Sequence, residues 1–105
     1  MRCLSNASSQ EVQEIAKSLS AVFTSYPVKR AVLFGSYAKG KAVQNSDVDV
    51  LVDSGLTGLR FVGLIEDIRQ AVGNREVDVL DVSHIQTDSR IAREIENTGI
   101  LIYEK

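Results

Sequence analysis

One stretch constrains this chain more than any other: Val32 to Asp53, VLFGSYAKGKAVQNSDVDVLVD. The apolar run Ala31-Val32-Leu33-Phe34 stops at Gly35-Ser36. Apolar at every position, it reads as the end of a strand, spanning Val28 to Phe34, that is covered on both faces. A glycine at its end lets the backbone turn sharply and approach another group closely. Ser36-Tyr37-Ala38-Lys39 can close a single helical turn, whose N–H groups would face an anion. Polar residues follow from Gly40 to Ser46. Then Asp47 and Asp49 alternate with Val48, Val50 and Val52, the period of a half-buried strand over Asp47 to Val52. The two carboxylates therefore share one face, and the valines take the other. Each feature alone has a plain explanation, a serine-capped turn and a solvated sheet face. Their combination at close spacing points to an anion cradle beside paired carboxylates.

The remaining residues read as a frame for that stretch. Ser8-Ser9-Gln10-Glu11 fits a capping box with Ser8 as the cap. Val12, Ile15, Ala16, Leu19, Val22 and Phe23 then recur at helical spacing, so a helix is expected from about Ser9 to Thr24, closed off by Pro27. After the turn cluster Ser54 to Gly58, a second helix runs from Leu59 to Val72 and ends at Gly73-Asn74. Glu76 to Asp81 alternates again, with Asp78 on the polar face and Val77 and Val79 on the other. Ser83 is the expected cap of a last helix through Ile91 and Ile95, which stops at Gly99. Ile100 to Tyr103 forms a final short strand, and residues 1 to 7 carry little pattern. The expected fold is α+β, in the order α-β-β-α-β-α-β. It has a small mixed sheet of about four strands and helices packed mainly on one face.

With 105 residues, the chain is expected to form one domain, residues 1–105, able to bury roughly 65% of its unfolded surface. Its net charge of −2 gives no general pull toward nucleic acid or an anionic membrane, so direct nucleic-acid binding is not expected. The single cysteine, Cys3, cannot form an internal disulfide. No apolar run approaches the ~20 residues of a membrane span, and the first residues lack the apolar region of a signal peptide. A cytoplasmic location is the expectation.

If the Glu76–Asp81 strand lies beside Asp47–Val52, Asp78 joins Asp47 and Asp49. Two unit charges ~4 Å apart repel by about 4 kcal/mol at an effective dielectric of 20. A divalent cation offsets this, and oxygen-only ligands favour Mg²⁺ or Mn²⁺. Asp53 and Asp81, at strand ends, read as surface or capping residues. Two other phosphate or metal motifs fail. Gly35 to Lys41 matches the first seven positions of a Walker A loop, but Ala42 stands where Ser or Thr is needed and no long helix follows. A calcium loop starting at Asp47 would have Val52 and Gly58 where it requires Gly and Glu. His84 reads as a surface or capping residue. Tyr26, Tyr37 and Tyr103 read as packing residues, Tyr37 being the best placed of them to stack on a base.

Gly35-Ser36, ten residues, then Asp47-Val48-Asp49 resembles the signature of the DNA polymerase β-type nucleotidyltransferase superfamily. The short chain resembles its minimal members, the MntA-like MNT antitoxins, over nearly its whole length. The Glu76–Asp81 strand resembles the one that brings a third carboxylate, here Asp78. Lys39-Gly40 stands where the family usually has Arg-Gly, keeping the charge without the bidentate fork. The resemblance implies that Asp47, Asp49 and Asp78 bind two Mg²⁺ ions, with Asp78 also able to assist deprotonation of the acceptor. It implies that Gly35, Ser36 and Lys39 hold the triphosphate of ATP, with Lys41 or Arg30 as further sources of charge. A hydroxyl attacks the α-phosphorus and pyrophosphate leaves. No acceptor domain is apparent, so the acceptor site is expected on a partner. The implied partner is a HEPN-type toxin, modified on a tyrosine. Transfer to a small molecule, with a homodimer completing the site, and non-catalytic binding of a partner are the competing readings.

Overall fold

The computed structural model describes residues 1–5, 8–40, 47–73, 75–86 and 89–105. The elements run β1 (Arg2–Cys3), α1 (Gln10–Phe23), β2 (Arg30–Phe34), β3 (Val48–Asp53), α2 (Gly58–Ala71), β4 (Val77–Asp81), a 3-10 turn (Val82–His84), α3 (Arg90–Thr98) and β5 (Ile100–Glu104). The strands form one mixed sheet in the order β1-β5-β2-β3-β4. β2 is antiparallel to both β3 and β5, whereas β3 runs parallel to β4 and β1 parallel to β5.

The all-apolar end of β2 is covered on both faces, as its sequence requires. Ala31 and Leu33 pack on one side with Val48, Val50 and Val52, under Val12, Ile15, Leu19 and Phe23 of α1 and Leu64 and Ile68 of α2. Val32 and Phe34 pack on the other side against Ile95 of α3, flanked by Leu51, Leu80 and Ile85. Leu19, Phe23, Leu64 and Ile68 are fully buried, each worth roughly 1.5–3 kcal/mol relative to exposure. Two of the three helices thus share a face, and α3 covers the opposite one. Gly99 lets α3 close onto the sheet, since a Cβ there would meet the Ile95 carbonyl and stand 2.8 Å from Val32 Cγ1.

Three local expectations are corrected and a fourth is narrowed. The sheet has five strands, because Arg2 and Cys3 add an edge strand too short and too polar to leave a periodic signal. The cap of α1 is Ser9, whose hydroxyl accepts from Val12 N–H at 3.2 Å. Ser8 instead accepts from Ser5 N–H, and Glu11 turns away to Arg75, so the capping box does not form. Ser83 does not cap α3, because its hydroxyl and N–H both donate to Asp81. Ser89 caps it, accepting from Ala92 N–H at 3.1 Å. Finally, of the two roles read for Asp81, surface or capping, the second holds: it is 1% exposed and caps the 3-10 turn by accepting from Ser83 N–H. It accepts from the N–H and hydroxyl of both Ser54 and Ser83 at 2.7–3.0 Å, which ties the turn before α2 to the end of β4.

Candidate functional site

Where β2 ends, the chain enters the left-handed region at Gly35, φ 73°, a conformation that costs other residues roughly 1–2 kcal/mol. Lys39 N–H donates to the Gly35 carbonyl at 3.1 Å and Gly40 N–H to the Tyr37 carbonyl at 3.3 Å. Residues 35–40 therefore close the single helical turn expected from sequence. The N–H groups that open such a turn are not used by its own bonds, which makes them available to an anion.

Three contacts brace the turn. The Tyr37 ring is buried in the main core. Its hydroxyl accepts from Arg75 at 2.8 Å and donates to Glu11 at 3.4 Å, so this ring packs and does not stack on a ligand. Arg2 of the edge strand donates to the Ala38 carbonyl at 2.6 Å. Lys39 pairs with Glu94 of α3 at 2.7 Å. A cavity of about 310 Å³ opens on the Arg2 side of the turn, lined by Ser8, Ser9, Lys39 and Gly40 among others; among the described residues, no carboxylate lines it.

The parallel pairing of β3 and β4 sets Asp49 and Asp78 opposite each other in register. Neighbouring strands lie ≈ 4.8 Å apart, so these side chains are adjacent on the face that α3 partly covers. Asp47 lies just before β3, two residues from Asp49 and on the same side by strand alternation. It is exposed, as is Asp78, while Asp49 is half-buried. Gly35 faces this row directly: a Cβ on it would overlap Asp49 Oδ2 and stand 3.0 Å from Cγ. Burial pushes the Asp49 carboxyl up to about 6, helped by the charges of Asp78, Asp47 and Glu94 and opposed by Lys39.

The sheet thus gathers Gly35, Ser36, Lys39, Asp47, Asp49 and Asp78 at one end. Arg30 opens β2 at its far end, five residues from Gly35, ~16 Å of extended chain away. Lys41 lies outside the described residues. His84 packs edge-on against Phe61, centroids 5.7 Å apart, away from the carboxylates. Tyr26 donates to Asp67 at 2.5 Å, and Tyr103 packs on Phe23. Two residues at the site were not anticipated. Glu94 lies on an amphipathic helix among other charges, and Arg2 lies in a segment without pattern; neither carries a sequence signal.

Among the described residues, no three acidic, histidine or cysteine side chains already converge on one point as a ligand sphere. The donor chemistry nevertheless fits a hard divalent cation. The candidates are all carboxylates, and burial together with repulsion from its neighbours drives Asp49 toward protonation, a cost that bound positive charge would relieve.

A glycine turn at the end of one strand, facing carboxylates on the next two, is the arrangement expected of a nucleotidyltransferase. The chain belongs to the family described as Polymerase beta, Nucleotidyltransferase, which it matches over residues 13–105. It is 36% identical over 76 residues to "Putative protein adenylyltransferase MJ0435" of Methanocaldococcus jannaschii, covering 70% of this chain and 81% of that one. A second protein of that organism with the same description, MJ1215, is 35% identical over 78 residues, covering 71% and 90%. The fold is shared with solved toxin–antitoxin structures. One, determined with AMP-PNP, has a TM-score of 0.72 at 20% identity and covers 86% of this chain and 73% of that one. Another is the tri-AMPylated Shewanella oneidensis HEPN toxin in complex with its MNT antitoxin, with a TM-score of 0.61, 21% identity and coverage of 92% and 74%. Among the described residues, no helix is long and apolar enough to cross a membrane.

Proposed function

We propose that this protein transfers AMP from ATP to a hydroxyl of a protein partner, a tyrosine of a HEPN-type toxin, and so acts as its antitoxin. The observation that carries the reading is the in-register pair Asp49–Asp78 with the bare Cα of Gly35 against Asp49. The relatives named as protein adenylyltransferases support AMP as the group transferred. The structural likeness to an MNT antitoxin bound to an AMPylated HEPN toxin supports the partner.

In this reading the turn 35–40 receives the β- and γ-phosphates on its N–H groups, the Ser36 hydroxyl and the Lys39 ammonium. The bare Cα of Gly35 lets the triphosphate and Asp49 approach the same point. Asp47, Asp49 and Asp78 would hold two divalent cations, Mg²⁺ or Mn²⁺. When bound, these supply the charge that acidifies an attacking hydroxyl and stabilises the departing oxygens. The acceptor oxygen bonds to the α-phosphorus, the bond from that phosphorus to the bridging oxygen breaks, and pyrophosphate leaves with the electron pair. Asp78, exposed at the open side, accepts the hydroxyl proton.

The test is incubation of the protein with α-labelled ATP, Mg²⁺ and a HEPN-type partner, followed by mass spectrometry. An AMP adduct on a partner tyrosine is expected, and Asp47→Ala combined with Asp49→Ala should abolish it. Label on a small molecule would redirect the assignment to that acceptor class. Neutralisation of the partner by the double variant would replace chemistry with binding.

A further inference from the structure

Glu94 has no part in the reading above, yet it is the residue that holds Lys39. The pair spans 2.7 Å, with the lysine side chain 39% and the glutamate side chain 30% exposed. It links α3 to the turn 35–40 beside the carboxylate row, and the charges of both residues reach Asp49. Lys39 is the one cation on that turn among the described residues, and its ammonium is already engaged. The partner that engages it is also a negative charge at the point where a polyanion would approach.

We infer that Glu94 sets the affinity for the nucleotide triphosphate by holding Lys39 until phosphate oxygens replace it. The inference rests on the reading of Lys39 as a phosphate contact. Two effects act in the same direction. To reach a phosphate, Lys39 must give up a carboxylate, and the freed carboxylate then repels the polyanion across a short distance. A triphosphate offers more charge than one carboxylate, so the exchange proceeds, but from a lower starting affinity. The ion pair is partly exposed, and such pairs contribute little individually; the effect is therefore a tuning of affinity and not an on/off control. Glu94 acts through Lys39 as a positioning residue.

Calorimetric binding of a non-hydrolysable ATP analogue with Mg²⁺ tests this on the full chain. Glu94→Gln keeps the shape and removes the charge. It should tighten binding roughly two- to fivefold, the range set by a partly exposed ion pair. Lys39→Ala should weaken binding, and in that background Glu94→Gln should have a smaller effect than in the parent. In transfer assays the Glu94→Gln effect should fall on KM for the nucleotide more than on kcat. Thermal melts that match the parent confirm that the substitution leaves the fold alone. Unchanged or weaker binding by Glu94→Gln overturns the inference, as does an equal effect with and without Lys39. Binding by the parent that is insensitive to Lys39→Ala would instead remove the phosphate role of Lys39 on which it rests.

Discussion

Gly35 and Asp49 occupy space that only a glycine leaves open. The Asp49 carboxylate lies against the Gly35 Cα so closely that a Cβ there would overlap Oδ2, and the φ of 73° independently selects glycine. The contact joins the two halves of the sequence signature physically. The turn proposed to receive phosphate and the carboxylate proposed to hold a cation meet at the bare Cα of Gly35, with no other side chain between them.

Gly35→Ala is therefore expected to remove transfer while costing only modest stability. The left-handed conformation penalises alanine by about 1–2 kcal/mol, and the larger effect is displacement of the Asp49 carboxylate from the turn. Parallel denaturant melts and transfer assays separate the two. Transfer at the parent rate would show that the close approach has no role.

Asp49 also predicts a pH dependence. Burial, with Asp78, Asp47 and Glu94 nearby, raises its carboxyl from 3.8 to about 6. Between those values the folded protein holds a proton that the unfolded chain has released. This group's contribution to stability therefore grows as pH falls from about 6 toward 3.8 and is lost as pH rises through about 6. Asp49→Asn should flatten that segment of the stability profile in metal-free buffer, leave stability at pH 7 equal to or above the parent, and abolish transfer. Melts across the pH range check the first two points. A variant less stable than the parent at pH 7 would contradict the assigned cost of burying and crowding this carboxylate.

The sequence exposed those parts of the molecule in which one residue type serves one physical need. Alternation placed Asp49 and Asp78 on strands, with Asp47 just ahead of the strand it is expected to open; continuous apolarity showed that β2 is covered twice, and the Gly-Ser step located the turn. It did not expose features that depend on which of several equivalent residues wins a local competition. Ser8 and Ser9 both suit a cap, and the choice follows from Ser8 accepting from Ser5 N–H. Ser83 and Ser89 both suit the start of α3, and Asp81 captures the first. Arg2 and Glu94 reach the site from edges far away in sequence, through contacts that no periodicity encodes.

Arg2 offers a test of such a contact. Its guanidinium holds the Ala38 carbonyl at 2.6 Å, while its strand is anchored to β5 through Arg2 N–H to the Gly99 carbonyl and Leu4 N–H to the Leu101 carbonyl. It lies outside the residues matched by the family, 13–105. Arg2→Ala should loosen the turn and raise KM for the nucleotide by about three- to tenfold, the scale of a charge-assisted hydrogen bond, with kcat little changed. Arg2→Lys should restore part of the loss. A fall in kcat with KM unchanged would indicate that the contact bears on the chemistry and not on the turn.

Asp81, a carboxylate that stabilises the fold, contrasts with those proposed to act in transfer. It follows Asp78 by three residues, yet it is buried and faces the opposite side of β4. Burial alone would raise its carboxyl, but the hydrogen bonds from Ser54 and Ser83 outweigh it and hold the group at about 2. The stabilisation is present above 3.8 and is lost as pH falls from there toward 2, the reverse of the Asp49 dependence, and is on the order of 2 kcal/mol. Asp81→Ala leaves two N–H groups and two hydroxyls without their acceptor, so it should destabilise by roughly 2–4 kcal/mol. Transfer by the remaining folded protein should persist, because Asp81 touches neither the turn 35–40 nor Asp49. Urea melts at pH 7, with transfer measured well below the unfolding midpoint, distinguish the outcomes. Full stability with lost transfer would move Asp81 into the site.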